Sequence, residues 1–388
     1  MMLLEHDAKE LLASFSINLP NGVLVDQSSA LPDFPAPWMV KAQVPTGGRA
    51  KDGGVALVRN EEECERELSR LLGATICGHS VRYCRIEEVS SGHECYISLM
   101  LNPANGALTI LLSLMGGIDI ETNAQKEELI RKETAFTQVA AYAALEEITK
   151  DLLPYLKTAL RSAGRRLCDA FFGLELILAE INPLFVREDG DWTAADAKIV
   201  IDESSLLRQK SILALLYERS EIYSNSIFKL EHGFDFLVLD REGEVGLLTT
   251  GAGLSMQLLD ELSGADCRPF NFCDIRTGQF RGSSERMVRA LEWMASGEKI
   301  KVILINFFAG VTDLSELAPL ILNALEKTPS LRVPVVIRLV GNQVEKARTI
   351  IESSERELTV HTDLDIALSR VRELAAPAPN ESLEESSL

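Results

Sequence analysis

The chain has 388 residues, of which 46% are hydrophobic and 25% charged, enough for two or three compact domains of roughly 100–200 residues each. Its 14 Pro and 25 Gly are ordinary counts, so the composition excludes collagen-like and wholly disordered chains. The 58 acidic and 39 basic residues leave a formal charge of −19, and a surface of that sign repels nucleic-acid phosphates and anionic lipids. We therefore expect no nucleic acid and no membrane among its partners.

Cysteine usage and the N-terminus both favour a cytoplasmic protein. The seven Cys form no CxxC pair, which is typical of reduced packing thiols. The opening MMLLEHDAKELLASF turns acidic early and lacks the basic start and apolar run of a secretion signal. No stretch approaches the roughly 18–20 apolar residues that a membrane span requires.

The first half of the chain alternates predicted helices with short predicted strands. Apolar spacing predicts helices over the segments 3–15, 61–72 and 125–172. Alternation and β-branched residues predict strands over 38–43, from 55 onwards, and over 81–88, 94–101, 107–117, 176–180 and 193–199. A Gly-rich loop joins the first two of these strands.

The second half repeats a unit of apolar strand, small-residue turn and amphipathic helix. Three copies are legible, with the strands GEVGLLTT, KVILINFF and VPVVIRLV. The repeat predicts a parallel sheet with helices on its faces, and the carboxyl ends of such strands form a ligand-binding edge. We place the domain boundary between residues 228 and 229, and we predict that the second domain ends at 375 and that 376–388 is a disordered acidic tail.

A basic and Gly-rich segment is the first candidate site. Lys41 on a predicted strand precedes the loop GGRAKDGG at 47–54. Glycines let the backbone approach phosphate oxygens, and Lys and Arg supply the countercharge. The loop joins two strands and lacks the GxxxxGK[ST] order of a P-loop. Taken alone, it fits a flexible surface hairpin as well as a nucleotide loop.

Oxygen-bearing side chains at strand ends form the second candidate. Glu180 and Asn182 alternate onto one face of a strand, and an antiparallel neighbour could bring Asp196 beside them. Mg²⁺ prefers such hard oxygens and takes one or two protein groups together with nucleotide phosphates. The alternative is a capped strand end with solvated acids.

The turns of the second half form a third candidate, for an anion. Segments 249–253 and 309–313 expose backbone N–H groups at helix starts, where phosphoryl or carboxylate groups are favoured. Arg276 is a cation near the same predicted edge. Alternatively, the turns only connect elements and Arg276 is a surface charge. The five His show no metal spacing, and neither G-x-S-x-G nor HExxH occurs.

The order of these motifs resembles that of the β subunit of succinyl-CoA synthetase and of related nucleoside-diphosphate-forming carboxylate–CoA ligases. The resemblance covers about residues 1–375, through the motifs EHDAKELL, MVKAQVPTGGRAKDGG, LAEINPL, ADAK, TTGAGLSM, FFAG and VVIRLVGN. It implies an α/β chain with an N-terminal ATP-grasp fold. The C-terminal half would be a flavodoxin-like, doubly wound parallel sheet, the CoA-ligase domain.

The resemblance also assigns roles to single residues. The nucleotide-binding residues would be Lys41, Gly48, Arg49, Ala50, Glu87 and Glu94. Glu88 is an alternative to Glu87, because the spacing from there to Glu94 is off by one. Asn182 and Asp196 would hold Mg²⁺, and Glu180 would meet a travelling phosphohistidine. The acid-binding residues would be Thr250, Arg276, Gly310, Val311 and Thr312.

By the same resemblance the chain is half of an enzyme. The phosphorylated His of the family belongs to a CoA-binding α subunit, and nothing in this sequence resembles its glycine-flanked His motif. The implied cycle passes phosphoryl from Mg·ATP, or GTP, to that His and then to a small carboxylic acid. CoA thiol finally displaces phosphate from the acyl phosphate. Such chemistry depends on positioning and charge neutralisation.

Departures from the family concentrate where the acid would bind. They stand at Ala50, Met115, Thr250, Arg276, Thr277 and Ala309. Thr250 in place of Asn removes an amide donor and acceptor, while Arg276 in place of Gly adds a carboxylate-binding fork. We therefore expect an acid other than succinate. The alternatives are a nucleotide-binding paralogue without normal turnover and a stand-alone ATP-grasp carboxylate–amine ligase.

Overall fold

The chain forms two compact units. The computed structural model describes residues 1–116, 129–276, 282–354, 356 and 358–376. The units are Met1–Glu218 and Arg219–Leu388. The predicted limit at 228/229 falls later, inside the helix Ser224–His232, whose Phe228 packs in the core of the second unit. That limit remains a prediction, and so does the tail, which apart from Ala376 lies outside the described residues.

The first unit mixes helices with two large sheets and a small hairpin. Its α-helices are α1 (Glu5–Ala13), α2 (Glu61–Leu71), α3 (Gln138–Ile148), α4 (Pro154–Gly173) and α5 (Lys210–Glu218), and a 3₁₀ helix spans Glu203–Arg208. Its strands are β1 (Gly22–Val25), β2 (Trp38–Gln43), β3 (Val55–Val58), β4 (Thr75–Ile76), β5 (His79–Ser80), β6 (Tyr83–Glu88), β7 (His93–Asn102), β8 (Ala107–Ser113), β9 (Leu129–Thr134), β10 (Leu176–Val186), β11 (Trp192–Ala194) and β12 (Ala197–Ile201).

Local sequence explains where two of these helices begin. α2 follows Asn60, whose side-chain oxygen accepts a hydrogen bond from the amide of Glu63 (2.9 Å). Three Glu in its first turn and Arg70 in its last complement the helix dipole. α4 begins with Pro154, where the missing N–H of proline has no intrahelical partner to lose.

The predicted helix over 125–172 is wrong in two respects. Leu129–Thr134 is the strand β9, which pairs antiparallel with β8, and residues 125–128 lie outside the described part. The remaining segment is two helices, because Pro154 cannot continue the helix before it. The strand LIRKET has charged residues at several positions, and its pairing with β8 overrides its local pattern.

The two large sheets position the site residues. One has the order β1-β6-β2-β3, so β2 lies between β3 and β6. The other has the order β11-β10-β7-β8-β9, with β12 also paired to β10. The β10–β7 register shifts between Ile181 and Leu184, so that Asn182 and Pro183 oppose a single residue of β7. Such a bulge bends the strand and redirects its side chains.

The second unit is built around one sheet. Its helices are α6 (Ser224–His232), α7 (Ala252–Ser263), α8 (Glu285–Ala295), α9 (Leu314–Lys327), α10 (Val344–Glu352) and α11 (Leu364–Ala375). Its strands are β13 (Asp235–Val238), β14 (Val245–Thr249), β15 (Asn271–Asp274), β16 (Val302–Ala309), β17 (Val335–Gly341) and β18 (Leu358–His361).

The strand order of this sheet confirms the flavodoxin-like prediction. The order is β13-β15-β14-β16-β17-β18. The last five are parallel and, numbered along the chain, lie in the order 2-1-3-4-5 that defines a flavodoxin-like sheet. β13 is an added antiparallel edge strand.

Both faces of this sheet are buried by helices. Along β16, Ile303, Ile305 and Phe307 pack into one apolar cluster with residues of α8 and α9. Val302 and Leu304 point to the other face and pack with residues of α7 and α11. A strand covered on both sides reads as a continuous apolar run, which is why KVILINFF predicted a central parallel strand correctly.

A glycine in the second unit provides a test of this packing. A Cβ at Gly243 would lie 2.5 Å from Phe270 Cα and 2.6 Å from Phe270 N, both backbone atoms that cannot rotate away. We expect Gly243→Ala to lower the free energy of unfolding by about 1–3 kcal/mol, measured by urea denaturation. Gly253→Ala is the matched control, because a Cβ there meets nothing within 4 Å. Equal stability of the two variants would contradict the packing described.

Candidate active site

The Gly-rich loop lies in the connection between β2 and β3 in the first unit. Lys41 lies on β2, which ends at Gln43, and the loop at 47–54 follows. Gly48 and Gly53 have φ angles of +79° and +74°, in the left-handed region that favours glycine. The amide of Gly54 donates to the carbonyl of Arg49 (2.7 Å), which folds the loop back on itself. The side chain of Arg49 is buried by this fold.

A cleft of about 680 Å³ lies against this loop and gathers most of the predicted site. The predicted residues that line it are Lys41, Gly48, Arg49, Ala50, Glu87, Glu180, Asn182 and Asp196. Glu94 is not among the lining residues. It pairs with Phe185 in the β7–β10 ladder, and its carbonyl accepts a hydrogen bond from the amide of Gly116 (2.9 Å).

The residues predicted to supply oxygen ligands lie around the bulge in β10 and line the same cleft. Glu180 and Asn182 come from β10, and Asp196 lies in the break between β11 and β12, the strands that pair with β10 on one edge. The amide of Ala195 donates to the carbonyl of Pro183 (3.1 Å), which holds that break against the bulge. The donors are carboxylate and amide oxygens, the chemistry that suits Mg²⁺.

Asp196 is already engaged by a cation in this structure. Its Oδ2 accepts a hydrogen bond from Arg49 Nη2 at 2.9 Å, and about 34% of its side chain remains exposed. Burial raises the pKa of Asp196, and the charge of Arg49 opposes that effect. If Asp196 bound a metal ion, its carboxylate would therefore exchange the guanidinium of Arg49 for the metal ion as its positive partner.

Beside the cleft, two buried carboxylates hold two buried lysines. Lys9 Nζ lies 2.7 Å from Glu5 Oε1 and 2.7 Å from Glu87 Oε2. Lys41 Nζ lies 3.1 Å from the same Glu5 oxygen and also contacts Glu87. Both ammonium groups donate to the carbonyl of Ala195, at 2.7 and 2.6 Å. We call Glu5, Lys9, Lys41 and Glu87 the buried ion cluster.

Two arginines extend the buried ion cluster on either side. Arg49 contacts Glu5 with the same Nη2 that binds Asp196. Arg85 Nε lies 2.7 Å from Glu87 Oε2, and its Nη1 lies 2.8 Å from His6 Nδ1. Because a guanidinium only donates, His6 Nδ1 is the acceptor. Each carboxylate therefore faces more than one cation.

The electrostatics keep the buried ion cluster charged. Burial acts to raise the pKa of Glu5, but Arg49, Lys41 and Lys9 outweigh it and hold this pKa well below its ordinary value. Lys9 and Lys41 lower the pKa of Glu87 against its own burial. Burial lowers the pKa of Lys9. Glu5 and Glu87 raise the pKa of Lys41 despite its burial. Mutual pairing offsets the cost of removing these charges from water.

The structure separates the two candidate acids of β6. Glu87 is 1% exposed and its carboxylate is used by the buried ion cluster. Glu88, the next residue, also lines the cleft and is exposed. Of the two, Glu88 is the carboxylate that a ligand in the cleft can reach without breaking an internal ion pair.

Sequence reasoning missed three charged residues of this region. Glu5 and Lys9 belong to the motif EHDAKELL and Lys198 to the motif ADAK, and the family resemblance assigns none of the three a role. The available signal was the i, i+4 spacing of Glu5 and Lys9 on a predicted helix, next to apolar neighbours. If Glu5 and Lys9 are buried with the apolar residues of this helix, they require charged or polar partners from elsewhere in the chain.

In the second unit, the predicted acid residues lie after neighbouring strands. Thr249 at the end of β14 is the register partner of Asp274 in β15 and of Asn306 in β16. The turns that follow these strands carry Thr250, Arg276 and the segment 310–312, and therefore meet at one edge of the sheet. The amide of Gly251 donates to Asp274 Oδ1 (2.7 Å), which ties two of the turns together.

Thr250 and Arg276 have different surroundings at that edge. Thr250 is buried, and its Oγ1 has no hydrogen-bond partner in the protein, which is costly unless a ligand or water supplies one. Arg276 has φ +48°, and its side chain is 52% exposed, with Nη2 3.7 Å from Asp235 Oδ2. Val311 is 97% exposed. The structure gathers these residues at one edge; their role in acid binding remains a prediction.

The other departures from the family lie in less constrained places. Ala50 is exposed on the Gly-rich loop, and Met115 has 54% of its surface exposed beside Gly116. Ala309 ends β16 and is buried. Thr277 lies outside the described residues.

Comparison with known proteins covers both units. A family model for the ATP-grasp domain matches residues 2–186, and one for CoA-ligase matches residues 248–372. The succinate–CoA ligase (ADP-forming) β subunit of Rubrobacter xylanophilus is 35% identical over 94% of this chain and 95% of its own length. Its namesake in Desulfurococcus amylolyticus is 32% identical over 96% and 99%. These matches confirm the predicted ATP-grasp and CoA-ligase domains.

A solved structure shares the fold at lower identity. The ATP citrate lyase of Methanothrix soehngenii, solved in complex with citrate and coenzyme A, aligns with a TM-score of 0.71 at 19% identity. The alignment covers 96% of this chain and 98% of that one. The likeness shows a common architecture across nearly the whole length.

The buried ion cluster makes a stability prediction. Glu5→Gln leaves Lys9, Lys41 and Arg49 short of one negative charge, so we expect a loss of about 3–5 kcal/mol in the free energy of unfolding at pH 7. Because the folded pKa of Glu5 lies below its ordinary value of 4.5, this contribution is present above pH 4.5 and is lost as the pH falls. The difference between variant and wild type should therefore shrink in acid, measured by urea denaturation across pH.

Glu62→Gln is the control for the same chemical change. It removes one exposed i, i+4 pair with Arg66 (3.2 Å), and should cost less than about 1 kcal/mol at every pH. If Glu5→Gln were no more harmful than Glu62→Gln, the cluster would not stabilise the unit.

Proposed function

Since this chain belongs to the family of β subunits of ADP-forming succinate–CoA ligases, we propose that it transfers phosphoryl from Mg·ATP to a His of an α-type partner. The partner would pass it to a carboxylic acid, which CoA then converts to a thioester. One observation carries the proposal. The cleft joins the Gly-rich loop and Lys41 on one side to Glu180, Asn182 and Asp196 on the other.

The nucleotide would enter with its phosphates toward the Gly-rich loop. The backbone amides around Gly48 offer donors to phosphate oxygens, and Arg49 and Lys41 supply positive charge in the cleft wall. Glu88, rather than the buried Glu87, is the acid of β6 that we assign to the ribose. The relatives are named ADP-forming, which supports ATP over GTP as the phosphoryl donor.

The metal residues fit Mg²⁺ by their chemistry. Asn182 and Asp196 would hold the ion, with Glu180 nearby, all through oxygen atoms. Mg²⁺ held there would supply positive charge against the negative charge that develops during phosphoryl transfer. The chain's own part would be to position these oxygens: Glu180 and Asn182 lie on β10, and the hydrogen bond from the amide of Ala195 to the carbonyl of Pro183 holds the segment before Asp196 against that strand.

The phosphoryl group would move in three displacements. A nitrogen of the partner's His attacks the terminal phosphorus, and the bond to the ADP oxygen breaks. A carboxylate oxygen of the acid then takes the phosphoryl from that nitrogen and forms an acyl phosphate. CoA thiolate attacks the acyl carbon and releases phosphate. Glu180, which accepts a hydrogen bond from the hydroxyl of Tyr96 (3.3 Å), would orient the imidazole through its other nitrogen.

The acid remains the open part of the proposal. The curated relatives are named for succinate, but Thr250 and Arg276 depart from the pattern that the family resemblance implies for acid binding. The unpartnered Oγ1 of Thr250 and the exposed fork of Arg276 support an acid with an added hydroxyl or carboxylate. The CoA-ligase match speaks against the carboxylate–amine ligase alternative. A paralogue without turnover would bind nucleotide but phosphorylate no partner.

The site of action in the cell is also a proposal. No helix in the described ranges has the length and apolar content to cross a bilayer. A cytoplasmic location remains a prediction from the sequence.

Removing a metal ligand tests the phosphoryl-transfer step. We expect Asp196→Ala to lower phosphorylation of candidate α-type partners, measured with γ-labelled ATP, by more than about 100-fold, because the metal supplies several kcal/mol of charge stabilisation. Folding should persist, since Arg49 keeps Glu5 as its partner. Asp189→Ala, in an exposed turn, is the control. Normal phosphorylation by the Asp196 variant would remove the metal assignment.

Arg276 tests the choice of acid. Gly tolerates the left-handed backbone at this position, so Arg276→Gly should fold normally. We expect its KM for the best acid of a di- and tricarboxylate panel to rise about 10-fold or more, the usual value of a charge-assisted hydrogen bond. The KM for ATP should change little, and Arg268→Ala should alter neither. Equal changes in both constants would mean that Arg276 has no specific part in acid recognition.

A further inference from the structure

Lys198 is a cation of the cleft that the proposed function does not use. It lies on β12, and its register partner across the strand pair is Glu180. Partners in an antiparallel pair point to the same face of the sheet. Lys198 lines the cleft together with Glu180, Asn182 and Asp196, and it is half-buried there.

The ammonium group of Lys198 also reaches the Gly-rich loop. A Cβ placed on Gly47 would lie 3.6 Å from Lys198 Nζ. The side chain therefore spans from the sheet that carries the metal residues to the loop that would carry the phosphates. A group at that point is placed between the two halves of the nucleotide site.

The neighbouring cations, Lys41 and Arg49, already have ion-pair partners within the protein. Lys41 is held by Glu5, Glu87 and the carbonyl of Ala195. Arg49 is shared between Glu5 and Asp196. The ammonium group of Lys198, by contrast, has no hydrogen bond or ion pair within the portion of the chain that the structure describes.

An unpaired ammonium in a cleft wall favours an anion in that cleft. A triphosphate carries its highest charge on the terminal phosphoryl group, which is also the group that must leave the nucleotide. Lys is suited to this task, because its compact point charge follows a moving phosphate more readily than a planar fork does. Its neighbour Glu180 is the residue to which we assign the partner's imidazole.

We propose that Lys198 binds the terminal phosphoryl group of the triphosphate and stays with it as it moves toward the partner's His. The proposal rests on the proposed function, because it requires a nucleotide in this cleft. It assigns Lys198 to the one phosphate that ATP has and ADP lacks. Lys41 and Arg49, in contrast, would serve both nucleotides.

Calorimetric titration of the full chain tests this division. The probes are Mg·ADP and the Mg²⁺ complex of the β,γ-imido analogue of ATP, which keeps the third phosphate. We expect Lys198→Met to weaken binding of the analogue by about 10-fold or more, the scale of a hydrogen bond to a charged group. Binding of Mg·ADP should change less than about 2-fold, because the contact is made only to the third phosphate.

Two further variants separate charge from structure. Lys198→Arg keeps the positive charge and should recover most of the affinity for the analogue. Lys150→Met makes the same change at an exposed site outside the cleft lining and should leave both affinities unaltered. If Lys198 had only a structural role, Lys198→Met would instead weaken the binding of both ligands.

The outcomes distinguish failure of the inference from failure of the proposed function. If the wild-type chain binds neither probe, the nucleotide site itself is wrong. If the wild type binds both probes and Lys198→Met lowers both equally, or neither, the assignment of Lys198 to the terminal phosphate is overturned. Loss of the analogue alone, with recovery in Lys198→Arg, supports it.

Discussion

The first unit depends on the buried ion cluster, a group of charged side chains that are buried together. Glu5 and Glu87 lie between Lys9 and Lys41, and these four side chains come from α1, β2 and β6. None of them would be stable in an apolar interior alone, because an isolated buried charge costs several kcal/mol. Paired, they join α1 to the β1-β6-β2-β3 sheet. Both lysines also donate to the carbonyl of Ala195, in the break between β11 and β12 of the second large sheet, so one cluster connects all three elements.

The buried ion cluster explains how cleft residues are positioned although they lie on irregular backbone. The bulge at Asn182 and Pro183 and the break at Ala195 and Asp196 are irregular backbone, which has few ladder hydrogen bonds of its own. Lys9 and Lys41 hold the carbonyl of Ala195, and the next residue, Asp196, is one of the two residues that we propose as metal ligands. Lys9 and Lys41 thus help to set the position of the Asp196 carboxylate, although both lysines are far from Asp196 in the sequence.

Much of this architecture was predictable from local pattern. Three strands of the flavodoxin-like sheet, β14, β16 and β17, are apolar runs with a glycine at or just after their end, and the Gly-rich loop between β2 and β3 can be recognised from its own sequence. Pairing between distant segments was not predictable in the same way. β9 has a polar sequence and becomes a strand only beside β8, and Glu87 and Glu88 differ only in which side of β6 they occupy. Likewise, nothing near Glu94 in the sequence reveals that Phe185 lies opposite it.

Arg49 Nη2 is shared between an interior carboxylate and one at the cleft surface. Under the proposed function, a divalent ion alone at Asp196 would compete with the guanidinium of Arg49, and a polyphosphate alone would find that guanidinium already neutralised. In a chelate of the two, the ion would take the carboxylate of Asp196 and the phosphate would take the guanidinium of Arg49, so neither charge would be left unpaired. Metal and nucleotide would then be mutually dependent ligands of the cleft.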